Sequence, residues 1–307
     1  MTKIFIDGSA GTTGLRIHER LKNRGEIELL TLPENLRKDA AARKEAANSA
    51  DIVFLCLPDD AAREAVLSID NPNTAVIDAS TAHRTCDGWE YGFPEISDRR
   101  ERIAASKRIA NPGCHASGFV ALVEPLVREK IIKKDAALTC FSLTGYSGAG
   151  KKVIAEYESA DRDTLMSAPR QYALGQSHKH LKEMVKISNI TTSPVFCPII
   201  EPFYSGMEVT VPLFAKYICG SASDIRNIYR EIYNTKIVHY NDNADENGFL
   251  SAAAYSGRDD MEISVFGNDE RIILTARYDN LGKGASGSAI QNMNILLGLD
   301  ETSGLEL

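Results

Sequence analysis

No stretch of this chain is long and apolar enough to span a bilayer. Its start, Met1-Thr2-Lys3-Ile4-Phe5-Ile6, runs directly into a strand pattern with no apolar leader. Basic excess is also missing. The net charge is −7, which argues against nucleic acid as a partner. An anionic substrate therefore needs a local basic pocket. Cysteine is sparse, with six residues at 56, 86, 114, 140, 197 and 219 and no Cys-x-x-Cys. That excludes a disulfide framework and the common zinc or dithiol motifs, and points to reduced thiols in the cytoplasm. The remaining composition, 43% hydrophobic and 25% charged, is that of an ordinary globular protein. A length of 307 residues allows two domains.

The first chemistry-bearing stretch follows the opening strand. Gly8-Ser9-Ala10-Gly11-Thr12-Thr13-Gly14 leads into a helix carrying Leu15, Ile17 and Leu21. Strand, glycine turn and helix form the context of a dinucleotide site. Gly8 suits the tight turn, Gly11 lets the backbone approach a pyrophosphate, and Gly14 allows close helix packing. Ser9, Thr12 and Thr13 add hydroxyl donors. A plain glycine-rich turn is the alternative. Cofactor choice stays open at this level. Glu34 lies where an NAD-selective acid is expected, yet Pro33 precedes it and Arg37 and Lys38, suited to NADP, follow.

Three further β runs appear at 28–32, 51–57 and 75–78, with helices at 39–49 and after Pro58. The run Asp51 to Leu57 is continuously apolar, as in a strand buried on both faces. Alternating β and α units predict a parallel, doubly wound sheet. Cys56, at a strand end, reads as core packing. Asp78 to Arg84 leaves the sheet at a carboxyl end, where open α/β folds bind ligands. There Arg84 can meet a phosphate or carboxylate, or form a loop salt bridge. His83 and His115 read as exposed or hydrogen-bonded bystanders, and Gly92-Phe93-Pro94-Glu95 as a structural turn.

Asn111-Pro112-Gly113-Cys114-His115-Ala116-Ser117-Gly118 reads as a thiol at the mouth of a helix. Pro112 and Gly113 force a turn. Phe119, Leu122, Val123 and Leu126 then recur at helical spacing. Pro125 is expected to kink or end the helix. A cysteine in a first helical turn meets unpaired N–H groups and the positive end of the dipole. Its pKa is then expected below the usual value of about 8.5. The same N–H groups can hold an oxyanion. The alternative is a small buried hydrophobe.

Beyond this helix the pattern turns to consecutive strands at 137–143, 192–200, 206–213, 262–267 and 271–278, with a helix at 222–233. That predicts an α+β second domain with a mostly antiparallel sheet. The Thr144 to Lys152 stretch can fold over an anion or form a flexible hairpin loop. His178-Lys179-His180 offers an imidazole near neutrality to serve the thiol, and a cation for an anionic substrate. Spacing alone does not choose between the two histidines. No further ligands lie nearby at zinc spacing, so no metal is expected. Asp279 to Gly287 is a second glycine turn before a final helix, which is expected to return to the first domain.

Four motifs thus occur in order: Gly8 to Gly14, Asn-Pro-Gly-Cys at 111–114, His-Lys-His at 178–180, and Asp279 to Gly287. In this combination the chain closely resembles the short-form N-acetyl-γ-glutamyl-phosphate reductases of arginine biosynthesis. These are relatives of aspartate-semialdehyde dehydrogenase. The resemblance implies an α/β Rossmann-like NADP domain over 1–112 and 285–307. It implies an α+β catalytic and oligomerisation domain over 113–284. It implies Cys114 as nucleophile, His178 as acid/base, and a small acyl-phosphate substrate in a homo-oligomer. Arg84, Asn111, Ser147, Gly148 and His180 become substrate-side groups. The glycine turn with Ser80, Asn280 and Gly284 becomes the cofactor side. An aspartate-semialdehyde-type enzyme, or a non-catalytic cofactor sensor on the same fold, are the rival readings. His115 and Ser117 stand where the family often has an aromatic residue and a threonine.

Overall fold

A computed structural model describes all 307 residues. They form two compact units. The first comprises Met1–Pro94, Asp98–Gly113 and Ala285–Leu305; the second comprises Glu95–Ser97, Cys114–Gly284 and Glu306–Leu307.

The first unit is a six-stranded parallel sheet. Its strands are β1 (Thr2–Asp7), β2 (Ile27–Leu30), β3 (Ile52–Leu55), β4 (Ala75–Asp78), β5 (Glu90–Tyr91) and β6 (Arg108–Ala110), in the order β2-β1-β3-β4-β6-β5. Alternation along each strand explains why both faces are covered. Ile4 and Ile6 of β1 pack with Ile17 and Leu21 of α1 (Thr12–Leu21). The C-terminal helix (Gly287–Leu296) adds Ile290 and Met293 to the same cluster. Phe5, Val53 and Leu55 face the other way, toward Ala47 of α2 (Ala40–Ser49) and Ala62 of α3 (Asp59–Ser68). A parallel sheet sandwiched in this way needs apolar residues at every β3 position, and all four are buried. The short helix α4 (Arg99–Ala105) contributes Ile103.

In the second unit, helix α5 (Cys114–Arg128) is buried on every side from His115 to Val127. It packs on a seven-stranded mixed sheet: β7 (Thr139–Gly145), β8 (Arg170–Gln171), β9 (Val195–Glu201), β10 (Met207–Phe214), β11 (Val238–Tyr240), β12 (Met261–Gly267) and β13 (Arg271–Tyr278). The order is β11-β12-β13-β10-β7-β9-β8, antiparallel except for the β7/β9 and β11/β12 pairs. The stretch after β7 is not a hairpin. A short 3₁₀ turn (Tyr146–Ala149) meets helix α6 (Lys151–Glu158) at Gly150, whose φ of +88° lets the chain change direction. Helices α7 (His180–Ile187) and α8 (Ala222–Ile232) complete the unit.

Pro125 does not end α5, which continues to Arg128. Proline lacks an N–H, so the carbonyl four residues earlier loses its intrahelical donor. That carbonyl belongs to Ala121, and the buried Tyr233 hydroxyl donates to it at 2.6 Å. The Tyr229 hydroxyl donates to the next carbonyl, that of Leu122. Removing the Tyr233 hydroxyl strands a carbonyl in hydrocarbon, so Tyr233→Phe is expected to cost about 1–3 kcal/mol. Faster amide exchange along α5, with the first unit's sheet unaffected, is the result that checks it.

Candidate active site

Cys114 is the first residue of α5. Its side chain is half-buried and forms no disulfide. The backbone around it is tightly held. The Tyr278 hydroxyl donates to the Cys114 carbonyl at 2.5 Å and accepts from the Gly118 N–H at 3.0 Å. Gly284 comes so close that a Cβ on it would lie 3.0 Å from the Cys114 Cβ. The Asp279 carboxylate shapes the intervening turn by accepting from the N–H groups of Leu281 and Gly282 and from the Ser205 hydroxyl.

Three imidazoles of this unit share one cluster. The ring of His115 lies 5.7 Å from that of His178 and 5.5 Å from that of His180, and those two are 4.8 Å apart. Phe196 and Tyr172 close its sides. His115 is 3% exposed, so it is hydrogen-bonded but not exposed. Its Nδ1 pairs with the Ser142 hydroxyl and its Nε2 with the Tyr172 hydroxyl, both at 2.7 Å. Burial, then the charges of His178 and Lys179, pull its pKa down to about 3. His115 is therefore a neutral bridge at any working pH.

His178 is half-buried, and its pKa is lowered by burial and then by Lys179. The His180 N–H donates to His178 Nδ1 at 3.2 Å. An Nδ1 that accepts cannot carry the proton, so neutral His178 holds its proton on Nε2. His180 itself is buried at the start of α7. Tyr172 is held as a phenol by burial and then by the neighbouring Cys114, which places phenol and sulfur in one electrostatic environment.

Several residues expected to touch substrate or cofactor also hold hydrogen bonds within their own unit. Ser147 Oγ accepts from Asn280 Nδ2 at 2.9 Å, and Asn280 Oδ1 accepts from the Gly206 N–H at 3.0 Å. Gly148 lies against the same Asn280 amide. In the first unit Arg84 is buried and donates to the carbonyls of Asn111 and Ala79. Asn111 donates to the Ala285 carbonyl at 2.9 Å. Ser80 caps the turn after β4 through both oxygens of Asp78. Asp78 also holds His83 at 2.6 Å, and the His83 ring stacks on Trp89 at 4.1 Å. His83 is thus a buried structural residue. The Gly92 to Glu95 turn carries a second surprise, because Glu95 pairs with the fully buried Lys283 at 2.7 Å.

The first unit has the shape a dinucleotide requires. Gly8 adopts φ +87°, and a Cβ there would sit 2.3 Å from the Cys56 carbonyl. A Cβ on Gly14 would sit 2.5 Å from the Gly8 carbonyl. Gly11 caps α1 without a side-chain hydrogen bond, and the first turn holds no acidic residue. Thr12 and Thr13 open the helix and Ser9 lies in the turn before it. Such an end suits a pyrophosphate. Arg43 forms a fork on Asp7 at 2.8–3.1 Å, whereas Arg37 and Lys38 are exposed. Cys56 is no rival nucleophile, since burial pushes its thiol up to about 12.

Sequence spacing did not mark Tyr172, Ser142 or Tyr278. Their partners are distant in the chain.

Comparison with known proteins follows this layout. Residues 9–106 match the semialdehyde dehydrogenase NAD binding domain, and residues 114–280 match the semialdehyde dehydrogenase dimerisation domain. The chain is 42% identical to N-acetyl-gamma-glutamyl-phosphate reductase 2 of a Nostoc species, covering 99% of both chains. It is 41% identical to the Pseudomonas putida protein of the same name, covering 98% of both. Aspartate semialdehyde dehydrogenase II of Vibrio cholerae shares the fold, with a TM-score of 0.71, 18% identity, and 97% and 98% coverage. The Candida albicans enzyme solved with NADP gives a TM-score of 0.66 at 16% identity, over 97% and 99% of the two chains.

Proposed function

Since this chain belongs to the N-acetyl-γ-glutamyl-phosphate reductases, oxidoreductases of arginine biosynthesis, we propose that it works through an acyl thioester on Cys114. The observation that carries this reading is a cysteine at the first position of a buried helix, in one unit with a three-imidazole cluster. The Cys114 thiolate attacks the γ-acyl carbonyl, a C–S bond forms, the C–O bond to phosphate breaks, and phosphate leaves with the electron pair. NADPH, when bound, supplies the hydride that converts the thioester carbon to the aldehyde oxidation level. The acyl oxygen carries negative charge in both steps. His178 shares its Nε2 proton with that oxygen, and the α5 entrance adds backbone dipoles. As the oxygen lone pair reforms the carbonyl, the C–S bond breaks and the thiolate returns.

His180 and Lys179 serve the anionic substrate on our reading, together with Arg84, Asn111, Ser147 and Gly148. The Gly8 to Gly14 turn holds the pyrophosphate, and Arg37 with Lys38 favours the extra phosphate of NADP. Ser80, Asn280 and Gly284 complete the cofactor side.

We also propose a homo-oligomer in a reducing cytoplasm, consistent with six unbridged cysteines and no helix suited to cross a membrane. On the sheet face away from α5, Phe141, Val195, Phe214 and Ile273 are 41–57% exposed. They adjoin a groove of about 830 Å³ lined by Ile132, Leu138, Pro212 and Tyr217. Such an apolar face fits a second copy of the chain.

Phosphate-dependent NADP reduction is the test of function. N-acetylglutamate semialdehyde is expected to be the better substrate by on the order of 100-fold over aspartate semialdehyde. Preference for aspartate semialdehyde would reassign the substrate. Absence of any acyl adduct on Cys114 by intact mass, with NADP still bound, would leave only the sensor reading.

A further inference from the structure

The hydroxyl of Tyr278 occupies an unusual place. In an ordinary helix beginning at Cys114, the Gly118 N–H would bond the Cys114 carbonyl directly. Here the phenol oxygen also engages both groups, accepting from the N–H at 3.0 Å and donating to the carbonyl at 2.5 Å. The turn that carries the nucleophile is therefore also clamped by a side chain 164 residues away. Space for this comes from Gly118. A Cβ at that position would lie 2.7 Å from the phenol oxygen and 2.6 Å from Val209 Cγ2.

The clamp is rigidly backed. Tyr278 is fully buried at the end of β13. The next residue, Asp279, is locked by hydrogen bonds from the Gly257 N–H, the Ser205 hydroxyl, and the Leu281 and Gly282 N–H groups. Gly284, on the same turn, presses its backbone toward the Cys114 Cβ. The nucleophile's own carbonyl is thus held from one side and its Cβ from the other. Burial, and then Cys114, keep the phenol protonated, so this hydroxyl remains a donor.

We propose that Tyr278 is a positioning residue. By clamping the first turn of α5 at two backbone groups, its hydroxyl fixes the direction in which the Cys114 sulfur leaves the helix. This rests on the thioester reading above. Acyl transfer needs sulfur aligned with a bound carbonyl, and a small misplacement costs orders of magnitude. A small, unbound alkylating reagent makes no such demand.

The experiment compares the full-length wild type with Tyr278→Phe. Acylation of Cys114 by the acyl phosphate is followed by rapid-quench mass spectrometry, and alkylation by iodoacetamide is followed against pH. The expected result is at least roughly tenfold slower acylation at saturating substrate, with KM changed less than about twofold. The pH midpoint of alkylation stays in place. Gly118→Ala, which pushes a methyl group at the phenol oxygen, is expected to give the same kinetic signature should Tyr278→Phe fold poorly. 4-Aminophenylalanine at 278, which retains a donor, is expected to restore acylation. Acylation within twofold of wild type in a folded variant overturns the proposal. So does a parallel shift of the alkylation midpoint, which would make Tyr278 an electrostatic rather than a geometric device. Failure of the wild type itself to acylate overturns the thioester reading instead.

Discussion

Cys114→Ala is expected to abolish reduction while leaving cofactor affinity nearly unchanged. The loss follows from the chemistry. Alanine cannot form the C–S bond, and nothing else at the start of α5 offers a comparable nucleophile. His115 is tied at both ring nitrogens, and His178 has its Nδ1 occupied by the His180 N–H. Deleting a covalent nucleophile lowers turnover by on the order of 10³-fold or more in enzymes of this type of mechanism. Cofactor affinity is spared because the residues proposed above to hold the pyrophosphate and the extra phosphate, Gly8 to Gly14 with Arg37 and Lys38, belong to the other compact unit. Stopped-flow NADPH oxidation and a fluorescence titration of NADPH measure the two halves of the prediction. Turnover of the variant within tenfold of wild type would rule out the covalent route. A large loss of NADPH binding would instead show that the substitution perturbs more than the thiol.

The features legible in the sequence are those whose causes are local. β4 and β13 begin and end where the sequence pattern places them, at Ala75–Asp78 and Arg271–Tyr278. The helix after Pro112-Gly113 starts at Cys114 because a proline-glycine turn cannot continue the preceding strand. Two parallel pairs in the second sheet were beyond reach, since strand neighbours are chosen by packing and not by spacing. The hairpin alternative after β7 failed for a local reason. Gly150 is a junction between a 3₁₀ turn and a helix, and a lone glycine signals either case. Pro125 looked like a helix end because its rescue by Tyr233 comes from 112 residues away. The site divides in the same way. The cysteine, the His-Lys-His pair and the glycine turn announce themselves by residue type. Tyr172 and Ser142 do not, being 57 and 27 residues from the imidazole they bracket.

That imidazole gives the chain a measurable acid weakness. In the unfolded chain His115 titrates near the usual value of about 6.5. In the folded protein burial, followed by the charges of His178 and Lys179, takes it down to about 3. Between these values the unfolded state binds a proton that the native state refuses, so stability rises with pH and is lost as pH falls. The loss begins below about pH 6.5, saturates below about pH 3, and at pH 5 amounts to about 2 kcal/mol for this single group. His178 acts in the same direction, since its pKa is also lowered. His115→Gln keeps a donor and an acceptor for Ser142 and Tyr172 but cannot titrate. Its stability is expected to be flatter between pH 6.5 and 5. Amide exchange along α5, corrected for intrinsic rates, reads this directly in the second unit. Wild type is expected to open roughly 30-fold more at pH 5 than at high pH on account of His115, and the variant to lack that increment. Equal pH slopes in the two proteins would mean that His115 is protonated in the fold. Its bridge between Ser142 and Tyr172 would then be made by a cation, and the neutral His115 described above would be wrong.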